Sequence, residues 1–167
     1  MSNLDVRIST EADFEEIFQI WLENQQQATG RILSQTESST FKAEFLRLFF
    51  HVPHAIFYVA ESASKELVGW QALLPLLSNP ILGKYTAQSS TYVKKTFFKH
   101  DAGGRLFEYA ITDAKRLGID HVYAWVKTDN AAANKIAGRF NGYKFLIPGT
   151  VGNLPDFNLY VIPSISR

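Results

Sequence analysis

The 167-residue sequence contains no cysteine. Disulfides, thiolate nucleophiles and cysteine-ligated metals are therefore outside its chemistry, and no metal is expected. It has no apolar run near the about 20 residues that a membrane-crossing helix needs, so no membrane partner is expected. Its first residues, M-S-N-L-D-V-R, lack the basic-then-apolar order of a secretory leader, which points to a cytoplasmic location. Neither sign of charge is in excess: the formal net charge is +1, which argues against a nucleic-acid partner. Both common phosphate signatures, G-x-x-x-x-G-K-[ST] and G-x-G-x-x-G, are missing. What is abundant is apolar side chains, at 46% with 14% aromatic, enough to exclude disorder. At this length the simplest organisation is one domain, residues 1–167, with its own core.

Taken in order, Val6 to Ile8 reads as a short strand. Thr10-x-x-Asp13 then looks like a capping box. Phe14, Ile17, Phe18, Trp21 and Leu22 follow at helical spacing, and the helix should fade by Gln25 to Gln27. Arg31 to Thr40 is polar and reads as a loop. Phe41, Phe45, Leu48 and Phe49 predict a second helix, ended by Pro53. Ala55 to Ala60, Leu67 to Leu77 and Tyr85 to Val93 read as three strands of a meander, with a turn at Asn79 to Gly83. Gly69, inside the second of these, marks a bulge or a close approach. A helix over Gly104 to Leu117 stops at Gly118, and His121 to Lys127 alternates as a strand. A helix then starts at Asn130, with Ala133, Ile136, Ala137 and Phe140 as its face. Tyr143 to Ile147 and Asp156 to Ile162 are the last strands, split by a loop from Pro148 to Pro155. The strand–helix–strand of residues 86–127 requires a parallel pair. The fold class is α/β: a mixed, mostly antiparallel sheet of about seven strands with helices on both faces.

The stretch from Ser89 to Tyr143 carries the chemistry. Its centre is K99-H-D-A-G-G-R-L-F107, a basic glycine loop between a strand and a helix. The first-turn N–H groups of a helix lack intrahelical partners and, with the helix dipole, favour an anion. Lys94, Lys95, Lys99 and Arg105 crowd this stretch, opposed in sequence only by Asp101. Two readings are open on these residues alone: a phosphate cradle, or a plain loop with a solvated basic face.

The stretch resembles the coenzyme-binding core of the GNAT superfamily of N-acetyltransferases, and within it the phosphinothricin-acetyltransferase-like branch. The family's [Q/R]-x-x-G-x-[G/A] is matched by Lys99-x-x-Ala102-x-Gly104, with departures at Lys99 and Ala102. Ser89–Val93 before it, G-R-L-F-E-Y-A after it, Asn130-x-x-Ala133 and Gly142-Tyr143 add to the likeness, which extends more loosely over nearly the whole chain. The resemblance implies a GNAT-like fold and acetyl transfer from acetyl-CoA, a cosubstrate, to a small amine, amino-acid-like or peptide acceptor. It implies that Tyr92 and Val93 hold the pantetheine arm through backbone groups, with the Val93 N–H at the thioester oxygen. Lys99, His100, Asp101, Ala102, Gly103, Gly104 and Arg105 would hold the pyrophosphate. Asn130, with Ala133 one turn on, would meet the pantetheine arm, and Lys135 or Arg139 the nucleotide phosphate unless these are solvated. The loop from Arg31 to Thr40 would border the acceptor or be an ordinary surface loop, and a homodimer is compatible with the family.

For catalysis, an amine needs a proton acceptor and the leaving thiolate benefits from an acid. Gln88 stands where many relatives carry a strand glutamate, and Ala137 where many carry Tyr or His. Gln88 and Tyr143 are the catalytic candidates, with His51, His54, Glu61 and Tyr123 as substitutes for the base. Two other functions remain open: a domain that binds acyl-CoA without turnover, and a nucleotide-binding α/β domain unrelated to coenzyme A.

Overall fold

The structure is a computed structural model. It describes residues 4–76, 85–149 and 155–164, without the side chains of residues 27–29 and 99. The described elements are β1 (Asp5–Ile8), α1 (Phe14–Thr29), α2 (Gln35–His51), β2 (Ile56–Glu61), β3 (Leu67–Pro75), β4 (Thr86–Val93), α3 (Ala102–Arg116), β5 (His121–Lys127), α4 (Ala131–Ala137), β6 (Tyr143–Ile147) and β7 (Phe157–Pro163). The strands form a seven-stranded mixed sheet in the order β1-β2-β3-β4-β5-β7-β6. The expected parallel pair is β4 with β5, registered from Thr86↔His121 to Ser89↔Ala124. The pairs β1–β2, β5–β7 and β6–β7 are antiparallel.

Several boundaries differ from the sequence reading, each for a local reason. α2 begins at Gln35, inside the span expected as loop. Ser34 caps it and Glu37 reaches back to the Ser34 N–H at 2.9 Å, a capping box hidden in a polar run. The basic glycine loop is not a loop throughout: residues Lys95–His100 form a 3-10 turn and α3 starts at Ala102, two residues before the expected Gly104, so Gly103 is helical as well. α4 ends at Ala137 with Gly138 as its C-cap, whose N–H still closes a helical bond to the Asn134 carbonyl at 3.0 Å. Leu77, the turn at Asn79 to Gly83 and the centre of the Pro148 to Pro155 loop lie outside the described residues.

The chain forms two compact units. The first holds the chain up to Ala72 plus Thr91–Leu106. Its core is aromatic. Trp70, 2% exposed, takes the edge of Phe45 at 5.8 Å and lies against Phe57 at 5.7 Å and Tyr92 at 4.7 Å. α1 contributes Phe14, Ile17, Phe18 and Ile20, all buried, in line with its helical spacing. Arg7 on β1 forks between two buried carboxylates, bonding Asp13 through both terminal nitrogens at 2.8 and 2.9 Å and Glu61 on β2 through Nε at 2.9 Å. Asp13 also accepts the Thr10 N–H at 2.6 Å, so the sequence's capping box is used to lock β1 to the start of α1.

The second unit holds Leu73–Ser90 and the chain from Phe107 on. β5 and β7 alternate in burial as half-buried strands do. Their buried face carries Val122, Ala124, Val126, Asn158, Tyr160 and Ile162. Asn134 of α4 is seated there: its Oδ1 accepts from Asn158 Nδ2 at 2.7 Å and Tyr160 Oη at 2.9 Å, while its Nδ2 donates to the carbonyls of Lys127 and Asn130 at 2.9 and 2.8 Å. Phe107 of α3 meets Phe140 at 5.1 Å.

Two outcomes follow. The hydrogen bonds from Arg7 hold the Asp13 carboxyl down at about 2, so its contribution to stability is present above pH about 4 and is lost as pH falls from there towards 2. Arg7→Met should destabilise by roughly 2–3 kcal/mol at pH 7 in urea unfolding, by leaving the Asp13 carboxylate without a cationic partner and Glu61 with Lys65 alone, and by much less at pH 3. At position 69, an added Cβ would lie 2.8 Å from the Tyr92 carbonyl oxygen and 3.2 Å from the Val93 Cα, backbone atoms that cannot swing away. Gly69→Ala should therefore lower stability by about 1–3 kcal/mol, read as a drop in melting temperature.

Candidate active site

The candidate site is built around the end of β4. Gly69 lets β3 come close under Tyr92 and Val93, so the sequence's choice between bulge and close approach is settled as close approach. The next residue is tied back by the Lys94 N–H to the Val68 carbonyl at 2.8 Å. Asn24 of α1 donates to the Val93 carbonyl at 3.1 Å and to its own helix at Ile20 O at 2.8 Å. Beside it, buried Gln71 accepts from the Thr91 hydroxyl and donates to the Ala72 carbonyl at 3.1 Å. The Tyr92 ring lies on Trp70, and its phenol is pushed up by burial, partly offset by an N–H bond from Trp21, so it stays protonated at neutral pH.

Nine residues beyond Val93 the chain enters the first turn of α3 at Ala102. Asp101 takes a left-handed conformation, φ 55°, and α3 begins directly after it. Its carboxylate folds against Gly104, with Oδ1 closer than a side-chain carbon there would allow and Oδ2 3.2 Å from the same point. Gly104 thus leaves room for a carboxylate beside it and does not sit at an unusual φ. The first turn of α3 accordingly has an anionic group laid over it from its own chain, the charge its N–H groups and dipole favour. Ala102 is buried, which accounts for a small residue at this position. Arg105 donates to the Leu4 carbonyl at 3.1 Å, anchoring this turn to the start of the described chain. His100 is exposed and its ring lies 5.6 Å from that of Phe97. The side chain of Lys99 lies outside the described atoms.

The basic cluster needs one correction. Lys94 is not opposed by Asp101 alone: it is held by Glu16 at 2.7 Å and Glu66 at 3.1 Å, from distant parts of the sequence. Burial would lower its pKa, but those two carboxylates raise it overall, and its charge is spent inside the unit.

Tyr92, Val93 and the residues from Lys99 to Arg105 belong to the first unit. Gln88, Asn130, Ala133, Arg139 and Tyr143 belong to the second. There, Gln88 is registered against Tyr123 in the parallel ladder. Asn130 caps α4, its side-chain oxygen accepting the Ala133 N–H at 3.1 Å, and Arg139 is exposed just beyond that helix. Tyr143 is 69% exposed on the edge strand β6. Ala137 is buried. Of the substitute bases, Glu61 is engaged by Arg7 and Lys65, whose hydrogen bonds hold its carboxyl below the usual range, so it is a poor proton acceptor. His51 and His54 are exposed around the end of α2. Among the described residues no group of three or more His, Asp or Glu could hold a metal ion, and no helix is long and apolar enough to cross a membrane.

Sequence reasoning missed Asn24 and Gln71, which position β4, and Asn134, which seats α4. Asn24 follows an apolar helix face and reads as an ordinary polar residue, since its partner lies 69 positions away. Gln71 offered the better signal, a lone amide in an otherwise apolar strand, which when buried must find partners.

Comparison with known proteins follows the same lines. No curated protein matches the chain. Among solved structures it is similar to one assigned as a phosphinothricin N-acetyltransferase, at 20% identity over 99% of this chain and 100% of that one, TM-score 0.77. It is also similar to a Salmonella typhimurium protein assigned as an acetyltransferase and solved with its cofactor acetyl-CoA, at 18% identity over 99% and 96%, TM-score 0.77. A GCN5-related N-acetyltransferase from Kribbella flavida matches at 21% over 96% and 97%, TM-score 0.77. These likenesses establish the fold. The Acetyltransferase (GNAT) family model matches residues 14–143, a span running from the first residue of α1 through the β4 end and the α3 turn to the start of β6, and the chain belongs to that family.

Proposed function

We propose that the protein transfers the acetyl group of acetyl-CoA directly to the nitrogen of a small amine, amino-acid-like or peptide acceptor. The observation that carries this reading is the run from Tyr92 to Arg105: a strand end fixed by Gly69, Asn24 and the Lys94 N–H, followed by a helix first turn that already attracts an anionic oxygen. In this reading backbone groups of Tyr92 and Val93 hold the pantetheine arm and orient the thioester. The first turn of α3 takes the pyrophosphate, which displaces the Asp101 carboxylate. Asn130, Ala133 and Arg139 are secondary candidates for contacts with the same coenzyme. Acetyl-CoA supplies the activated acyl group; the chain supplies orientation and hydrogen bonds for the oxyanion. The neutral Tyr92 phenol is buried against Trp70 and serves packing rather than proton transfer. The acceptor class draws on the solved relative assigned as a phosphinothricin N-acetyltransferase.

A second reading is coenzyme binding without turnover. It is favoured by Gln88, whose amide cannot take a proton, and by Ala137, which is buried and offers no titratable group. One screen separates the two: thermal stabilisation by coenzyme A together with thiol release from acetyl-CoA across amino acids, polyamines and short peptides. Stabilisation with release from at least one acceptor is expected. Stabilisation without release across the panel selects the second reading, and no stabilisation by coenzyme A removes both.

Two substitutions probe the geometry. Asn24→Ala should lower kcat/KM for acetyl-CoA roughly tenfold while costing only about 1 kcal/mol in stability, because the Val93 carbonyl loses its tether. Asp101→Asn keeps a residue that tolerates the left-handed conformation but removes the competing charge. It should tighten coenzyme A binding about two- to fivefold, measured by calorimetry at low salt, in keeping with the size of charge–dipole terms.

A further inference from the structure

The first unit carries a row of aromatic rings that runs from its core to its surface. Trp70, in the core, lies 4.7 Å from the Tyr92 ring and 5.8 Å from Phe45. Phe45 in turn lies 5.1 Å from Trp21 of α1, and Trp21 lies 5.3 Å from Phe41 in the second turn of α2. Exposure rises along the row: Trp70 and Phe45 are buried, Tyr92 and Trp21 half-buried, and Phe41 is 41% exposed. Tyr92 and Trp21 are also joined directly, because the indole N–H bonds the phenol oxygen.

An acceptor nitrogen must come within about 3–3.5 Å of the carbon it attacks. With the thioester oriented by the backbone of Tyr92 and Val93, the group attached to that nitrogen meets side chains at the end of β4, of which Tyr92 is one. The polar groups beside Trp21 and Phe41 in sequence are engaged. Asn24, one turn on from Trp21, bonds the Ile20 and Val93 carbonyls. Glu37, one turn before Phe41, holds Arg31 and caps α2 with Ser34. Lys42, next to Phe41, is paired with Glu15 at 2.8 Å, and Lys94 with Glu16 and Glu66. Among these groups an acceptor carboxylate finds a cation only by breaking a pair, and a second ammonium finds an anion only in the same way. An aromatic ring needs neither, since it packs on the faces and edges of the rings already there.

Resting on the acetyl-transfer reading, we propose that Trp21 and Phe41 determine the specificity of the acceptor site, and that the acceptor is a primary amine whose carbon chain ends in an aromatic ring. The ring lies against Phe41 and Trp21, and the nitrogen points along the row towards the Tyr92 end of β4. The bond from Trp21 to Tyr92 fixes the indole, so this wall is set before the acceptor arrives. Burial of ring surface supplies the affinity. The paired charges discriminate against charged side groups, which would be desolvated without a partner. The transfer itself is unchanged: the nitrogen lone pair forms the amide bond, the carbon–sulfur bond breaks, and the proton the amine loses balances the thiolate that leaves.

The test is steady-state thiol release at saturating acetyl-CoA with phenethylamine, phenylalanine, alanine and spermidine as acceptors. Phenethylamine should give a kcat/KM about tenfold or more above each of the others. Phe41→Ala should raise KM for phenethylamine about tenfold, the size of one aromatic contact with its buried area, and leave kcat and KM for acetyl-CoA unchanged. Phe41→Leu, with circular dichroism as the check on folding, keeps an apolar side chain and should give an intermediate KM. Phe50→Ala is the control. Phe50 is 40% exposed on the same helix, but nine residues on and so on the opposite side of its axis, against Phe14 and Phe49. It should leave every constant unchanged. A preference for phenylalanine, alanine or spermidine overturns the proposal. So does a KM that Phe41→Ala leaves unmoved, or that Phe50→Ala raises equally. If coenzyme A stabilises the protein but nothing turns over, calorimetry of phenethylamine on the coenzyme-loaded protein decides: binding that Phe41→Ala weakens supports the wall, and no binding overturns it. Loss of coenzyme A stabilisation defeats the acetyl-transfer reading and this inference with it, whereas loss of the ring preference with stabilisation intact defeats this inference alone.

Discussion

A missing carbon holds the candidate site in shape. Because position 69 has no Cβ, the backbone of β3 can lie under the Tyr92 carbonyl and the Val93 Cα, where a methyl group would collide with both. The approach fixes where β4 ends, and the Lys94 N–H bond to Val68 continues it by one residue. The start of the turn leading to α3 is set from there. Trp70, the next residue along β3, then finds the Tyr92 ring at 4.7 Å, so the core and the site share one contact line. The side chains that complete it come from other elements: Asn24 from α1, Glu16 and Glu66 on Lys94, and Arg105 on the Leu4 carbonyl.

This arrangement explains which parts could be read from the sequence. Periodicity reports which face of an element is apolar, so the strands, the first helix and the parallel pair around α3 were legible, and the mixed sheet with them. A feature set by tertiary partners leaves no such trace. Lys94 looks like a phosphate ligand in sequence because its neighbours are basic, whereas its two acidic partners sit 78 and 28 positions away. The early start of α2 was lost to the polar look of Arg31 to Thr40, although Ser34 and Glu37 carry a local signal that a stricter reading would have found. Gly104 opens a helix in the sequence, yet the helix already includes Ala102 and Gly103, and the left-handed residue is Asp101. Gly104 marks closeness to a carboxylate rather than backbone freedom.

The two ends of the chemistry differ in how far the residues support them. The strand end and helix turn of the first unit are over-determined by hydrogen bonds and packing, the preorganisation that a reaction governed by orientation requires. Proton transfer has no such support: the substitute carboxylate Glu61 is held in ion pairs and position 137 is a buried alanine. An amine that arrives already neutral, attacking an activated thioester, asks least of such a site.

Asn134 uses both halves of one amide, accepting from Asn158 and Tyr160 and donating to two carbonyls of the chain that precedes it. Only a carboxamide of that length can do both. Spontaneous deamidation would replace its donor with an anionic oxygen facing carbonyl oxygens, so chemical ageing at this one position would turn a clasp into a repulsion. The integrity of α4 in stored protein is therefore bound to the survival of a single side-chain nitrogen.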